Sequence, residues 1–112
     1  MSAREWPDRV QDILEAIAEI EAFTLGMDLQ AFRADPKTIK AVELDFIIIG
    51  EAAGAIPEEI RVANPDVPWH LLRAMRNRMV HVYFHIDPAI LWQTAQDDLP
   101  KLVEPLTALL KK

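Results

Sequence analysis

Apolar spacing constrains this chain more than any other feature. Ile39, Val42, Phe46, Ile49, Ala53 and Ile56 recur in steps of three and four, the period of a helix with one buried stripe. The same spacing runs through Val10, Ile13, Leu14, Ile17 and Ile20, then through Leu72, Met75, Met79 and Val82. It returns in Leu91, Ala95, Leu99, Leu102, Leu106 and Leu109. No strand-like alternation, hairpin dipeptide or internal repeat competes with this pattern. The expected fold is all-α: an antiparallel bundle of four main helices plus short helical pieces. Residues 1–112 amount to one domain, long enough to bury a core without covalent staples.

Local signals divide the chain. Pro7 suits the first turn of a helix over residues 7–25, and Gly26 can end that helix in a left-handed conformation. Asp28 is placed to cap a short turn reaching Arg33. Asp35 followed by Pro36 reads as cap plus first helical position, and Asp87-Pro88 repeats the signature. Leu44, Ile47 and Ile48 widen the apolar stripe of the second long helix, so it should lie centrally and be contacted from several sides. Gly50, costing about 1 kcal/mol relative to alanine in mid-helix, suggests close approach by another helix. Residues 57–68 hold three prolines, a pattern for a short helical piece and a turn, and Pro68 restarts the helix. Pro100 and Pro105 should kink or divide the last segment.

Composition excludes several chemistries. With no cysteine there are no disulfides, thiolate nucleophiles or cysteine-based metal clusters. The N-terminal residues are charged where a signal peptide needs apolar ones, and the longest strongly apolar run is residues 46–49, so a cytoplasmic protein is expected. No Gly-rich loop followed by Lys-Ser or Lys-Thr offers a P-loop nucleotide site. The formal net charge of -6 argues against non-specific coating of nucleic acid. Residues 61–85 form a local exception: Arg61, Arg73, Arg76 and Arg78 against Asp66 make the stretch +3, leaving -9 on the remainder. Charge bias alone is commonly no more than a solvated face, so the residue types must decide.

Those types are unusual. Arg73, Arg76, Asn77, Arg78, His81, Tyr83, His85 and Asp87 crowd arginine, amide, imidazole and phenol into one helix and its exit. Arginine, asparagine and histidine without a metal are what cleavage of RNA by its own 2′-hydroxyl requires. Imidazole titrates near neutrality, so His81 could move protons, and like charge from Arg76 and Arg78 should favour its neutral form. A guanidinium fork could hold phosphate oxygens as charge builds, and Asn77 could orient either partner. On a straight helix Arg76 lies about 140° from His81, so either the helix loosens or both lean into a groove shared with a second chain; a dimeric groove is the expectation. His81, His85 and Asp87 could suggest a metal, but the HExxH pattern is absent and the arginines would repel a dication, so no metal site is expected. His70 reads as structural or solvated. His85 is a possible RNA contact, although a plain surface histidine is the simpler reading. Taken singly, His81 as a satisfied core histidine and Tyr83 as a packed aromatic are also the simpler readings.

Arg76-Asn77, three residues, His81, one residue and Tyr83 resembles the R-x4-H-x-Y signature of HepT-like toxins in the HEPN superfamily. The segment Ile48-Ile49-Gly50-Glu51-Ala52-Ala53 resembles that family's central helix, and Trp92 with Asp98-Leu99-Pro100 its C-terminal helix. The resemblance implies a homodimeric bundle acting as a metal-independent endoribonuclease toxin, without a cofactor. Arg76 and His81 match the catalytic pair, with Asn77 at the polar position beside them. Arg73, Arg78 and His85 are expected RNA contacts. Tyr83 matches the tyrosine that an MNT-type nucleotidyltransferase antitoxin modifies with AMP, a change that would put negative charge and bulk where RNA phosphate must sit. RNA is then the substrate, with no DNA or membrane partner. Two other classes remain: a non-catalytic module that docks a nucleotidyltransferase, and a bundle used only for assembly.

Overall fold

The computed structural model describes residues 5–79 and 87–111. Among them α1 spans Trp6–Thr24, α2 Leu29–Arg33, α3 Pro36–Gly54, α4 Glu58–Ala63, α5 Trp69–Met79, α6 Pro88–Asp97 and α7 Pro100–Leu110. There is no strand among the described residues. The all-α expectation holds, with the last main helix divided into α6 and α7.

The helix ends follow from local hydrogen bonding. At the start of α1 the Glu5 N–H donates to Asp8 Oδ2 at 3.0 Å, with Pro7 in the first turn. At its end the Thr24 hydroxyl donates to the Ile20 carbonyl at 2.8 Å. A turn then closes as the Met27 N–H donates to the Thr24 carbonyl at 3.0 Å. Leu25 at φ -57°, ψ 128° and Gly26 at φ +78° give this turn type II character, which requires a positive φ at its second central residue. A Cβ on Gly26 would meet nothing within 4 Å, so backbone conformation and not space selects glycine here.

Three aspartates cap helices. Asp28 accepts from the Ala31 N–H at 2.8 Å. Asp35 accepts from the Thr38 N–H at 3.1 Å and from the Thr38 hydroxyl at 2.9 Å, bonds that hold its carboxyl below the usual aspartate value. Asp87 accepts from the Ala89 N–H at 2.9 Å. Each carboxylate satisfies a backbone donor that the first helical turn leaves free. Pro100 marks the break between α6 and α7, whereas α7 continues through Pro105. The carbonyl deprived of a donor by Pro105 belongs to Lys101, an exposed residue where water can substitute.

Tertiary packing centres on α3, as the widened stripe implied. It packs most extensively against α1 and α5, and also touches α2 and α6. α7 covers α1, and α2 packs on α6. Val42, Phe46 and Ile49 of α3 join Val10, Ile13 and Ile17 of α1, Leu72 and Met75 of α5, and Leu102 and Leu106 of α7 in one buried cluster. Gly50 is buried on α3. The stripe is not covered throughout: Leu44 is 58% exposed and Ile48 36%. Chain periodicity marks residues that can be buried, and here the neighbouring helices leave part of that face open.

One acid lies within the α1–α3 seam. Asp45 is only 2% exposed, and its Oδ2 has no conventional hydrogen-bond partner. Burial, followed by hydrogen bonding and repulsion from the Glu19 carboxyl on α1, pushes Asp45 up to about 7. Two facing carboxyls bond only when one carries a proton, so the seam is arranged to hold one.

Because the folded value lies above the unfolded one, the folded chain binds the extra proton. This contribution to stability is complete below the unfolded value of 3.8 and is lost as pH rises through about 7. Asp45→Asn, which keeps the shape and supplies a permanent donor to Glu19, should therefore raise the urea midpoint at pH 8. It should also flatten the loss of stability between pH 4 and 7, as measured by urea unfolding across that range.

Candidate functional site

The cationic helix α5 is oriented by its apolar side. Leu72 and Met75 are buried in the core, which commits that face to α3. Trp69, Arg73 and Asn77 follow one another at four-residue spacing and so share a different stripe, about 12 Å long. Arg73 and Asn77 are exposed and Trp69 is half-buried. Arg76 and Arg78 belong to the same helix. In the sequence, four-residue spacing continues from Asn77 to His81. His81, Tyr83 and His85 lie outside the described residues. The structure thus brings Arg73, Arg76, Asn77 and Arg78 onto one helix, and His70 is exposed near its start.

The chain on the far side of that segment is anchored. Asp87 caps α6 and also faces Arg33 of α2, with 3.5 Å between Arg33 Nη2 and Asp87 Oδ1. Both side chains are about half exposed, so this ion pair contributes no more than about 1 kcal/mol. Apolar contact reinforces it. Fully buried Phe32 of α2 meets Trp92 of α6 with ring centroids 5.4 Å apart, tilted by 43°.

Sequence reading overlooked two features. The first is a cavity of about 210 Å³ between the end of α3, α4 and the start of α5. It is lined by Ala53, Gly54, Arg61, Trp69, Leu72 and Arg73, with no acid among them. Asn64 holds its wall together: its side-chain nitrogen donates to the Ile60 carbonyl at 2.8 Å, and its carbonyl accepts from Trp69 Nε1 at 2.9 Å. The four-residue step from Trp69 to Arg73 was a visible signal for this site, but nothing local linked either residue to Arg61. The second feature is a groove of about 430 Å³ on the α1–α3 side, where Asp12, Glu15, Glu19 and Asp45 gather. Asp45 was detectable in principle, since it falls three residues after Val42 and four before Ile49, on the buried stripe.

Among the described residues no group of three histidine or acidic side chains is arranged to hold a metal ion. No helix among them is long and apolar enough to cross a membrane.

Comparison with known proteins places this bundle. Residues 13–109 match the family described as "Ribonuclease HepT-like". The chain is 39% identical over 99 residues to the "Probable ribonuclease HepT" of Thermococcus cleftensis, a match covering 88% of this chain and 90% of the relative. It is 34% identical over 112 residues to "Putative RNase MJ1216" of Methanocaldococcus jannaschii, covering 99% and 92% respectively. "Putative RNase TTE0752" of Caldanaerobacter subterraneus is 32% identical over 87 residues, or 78% of each chain. No solved structure is significantly similar. The chain belongs to the HepT-like family of HEPN-type proteins, with an all-α HEPN-like fold.

Removing the anchor after the motif should be measurable. Asp87→Ala deletes the cap bond to Ala89 and the pairing with Arg33, so urea unfolding should show a loss of about 1 kcal/mol. Arg33→Ala alone should cost less, because it leaves the cap intact.

Proposed function

We propose that this chain is a metal-independent endoribonuclease toxin, active as a homodimer in the cytoplasm and paired with an MNT-type nucleotidyltransferase antitoxin. The observation that carries the reading is the Arg76-Asn77-x3-His81-x-Tyr83 sequence within a chain matched to the ribonuclease HepT-like family over residues 13–109. Relatives bearing ribonuclease names along nearly its whole length support it. So does the concentration of arginine on α5 of an otherwise acidic protein, which can attract RNA locally while limiting non-specific adhesion elsewhere.

In this reading His81 takes the proton from a ribose 2′-hydroxyl as its oxygen attacks the adjacent phosphorus. The bond from phosphorus to the 5′-oxygen breaks, and that oxygen acquires a proton. The products are a cyclic 2′,3′-phosphate and a 5′-hydroxyl. Arg76 stabilises charge on the phosphate, and Asn77 orients the reacting groups. Arg73, Arg78 and His85 contact flanking RNA. DNA lacks the 2′-hydroxyl and is spared. The partner transfers AMP from ATP to the Tyr83 oxygen, releasing pyrophosphate, and the added charge and bulk exclude substrate.

Unmodified protein should cut RNA in EDTA, leave DNA intact, and yield the cyclic phosphate on mass spectrometry. His81→Ala and Arg76→Ala should each slow cleavage by about 100-fold or more while keeping the wild-type circular dichroism spectrum. Tyr83→Phe should take up no labelled AMP from the partner. Cleavage that depends on added metal, or substitutions that alter only modification, would reject the mechanism.

A further inference from the structure

We propose that the cavity between α4 and α5 is a nucleotide subsite for single-stranded RNA, holding one flanking phosphate between Arg61 and Arg73 and stacking one base on the Trp69 indole. This rests on the ribonuclease reading for the identity of the polymer, but its grounds are separate. Two arginines line one cavity from different helices, and no acid is among its described lining residues. No ion pair satisfies either arginine among the described residues. Placing like charges around a hollow, unpaired, opposes folding and suits an anionic ligand.

The aromatic wall adds a second component. Trp69 spends its only polar donor on the Asn64 carbonyl, so what it offers the cavity is ring surface at a fixed orientation. Charge that tracks a backbone beside an aromatic that stacks a base is the combination by which proteins hold single strands. Ala53 and Gly54 contribute little side-chain bulk and leave the space open.

Size selects among anions. At about 210 Å³ the cavity lies below the roughly 300–1,000 Å³ of pockets that enclose drug-sized ligands, so a whole nucleoside triphosphate would not be enclosed. The site is of a size for one phosphate with a base laid against its Trp69 wall, the strand continuing along α5. Arg73 belongs both to the cavity and to the exposed stripe with Asn77, four residues and about 6 Å further along the helix. A strand seated here therefore extends toward the catalytic motif, and the subsite helps to set which phosphodiester is cut.

The test reads binding apart from cleavage. His81→Ala protein in EDTA is titrated with a short single-stranded RNA, with and without Arg61→Gln. The substitution should weaken binding about five- to tenfold and lower the slope of log Kd against log salt by about 0.7. Arg61→Lys, which keeps the charge, should recover most of the loss. RNAs carrying one abasic position, walked along the strand, should lose at least about fivefold at a single position beside the cleaved bond. Unchanged affinity and salt slope in Arg61→Gln, or tolerance of an abasic residue everywhere, would overturn the subsite. It would also fall if Arg61→Gln weakened only association with a nucleotidyltransferase. A protein that binds RNA through Arg61 but never cuts it would fail the ribonuclease reading alone. One that cuts RNA while binding is indifferent to Arg61 would fail only the subsite.

Discussion

Burial of α3 on more than one side is the constraint on which the rest of the molecule depends. Its apolar residues cannot be satisfied by a single partner, so α1 and α5 must pack on different parts of its surface, with smaller contributions from α2 and α6. A core of this kind contributes at roughly 25 cal/mol per Å² of apolar area removed from water, and its large side chains are the dominant favourable term. Once Leu72 and Met75 are committed to this core, His70, Arg73 and Asn77 on the rest of α5 face solvent. The direction in which the arginine-rich helix presents its chemistry is thus decided by hydrophobic packing.

The same central helix separates two electrostatic environments. Toward α1 lies a groove with four carboxylates, where burial and proximity raise the proton affinity of Asp45. Toward α4 and α5 lies a cavity lined by two arginines and a tryptophan. Net charge alone would class the chain as acidic and unsuited to nucleic acid. The fold resolves that contradiction by keeping the opposite charges on different helix interfaces, where each acts over distances comparable to the Debye length of about 8–10 Å. An anionic polymer thereby meets attraction at α5 and repulsion at the opposite seam. The cost of this arrangement is borne by Asp45, whose charge the packed interior disfavours.

The pattern that resembles the family signature is described only in part, with Arg76 and Asn77 on α5 and His81 and Tyr83 outside the described residues. On one side Arg76 and Asn77 are carried by a helix whose Leu72 and Met75 are buried in the core. On the other side, Asp87 combines a helix cap with an ion pair, while Phe32 and Trp92 join α2 to α6 beneath it. The apolar contact supplies most of that anchoring, since a half-exposed ion pair is worth little in water. Membership of the HepT-like family rests on similarity over residues 13–109, whereas the proposed catalytic roles rest on the local Arg76, Asn77, His81 and Tyr83 pattern.

Much of the secondary structure was legible from residues alone because its causes are local. Asp28, Asp35 and Asp87 each bond a backbone donor two or three residues away, and Gly26 adopts the positive φ its turn requires. The steps of three and four in apolar residues likewise report a helix through its own period. The Arg76, Asn77, His81 and Tyr83 pattern was readable for the same reason, since it is a spacing along one segment. Other features were decided only by how helices meet. Glu19 and Asp45 are 26 positions apart and become neighbours through the α1–α3 crossing; Arg61 joins Trp69 and Arg73 because the turn after α4 folds back. Leu44 and Ile48 share the apolar character of α3 yet remain partly uncovered. Local propensity specifies where a helix begins, ends and is oily, but which face meets which neighbour depends on packing between segments distant in the chain.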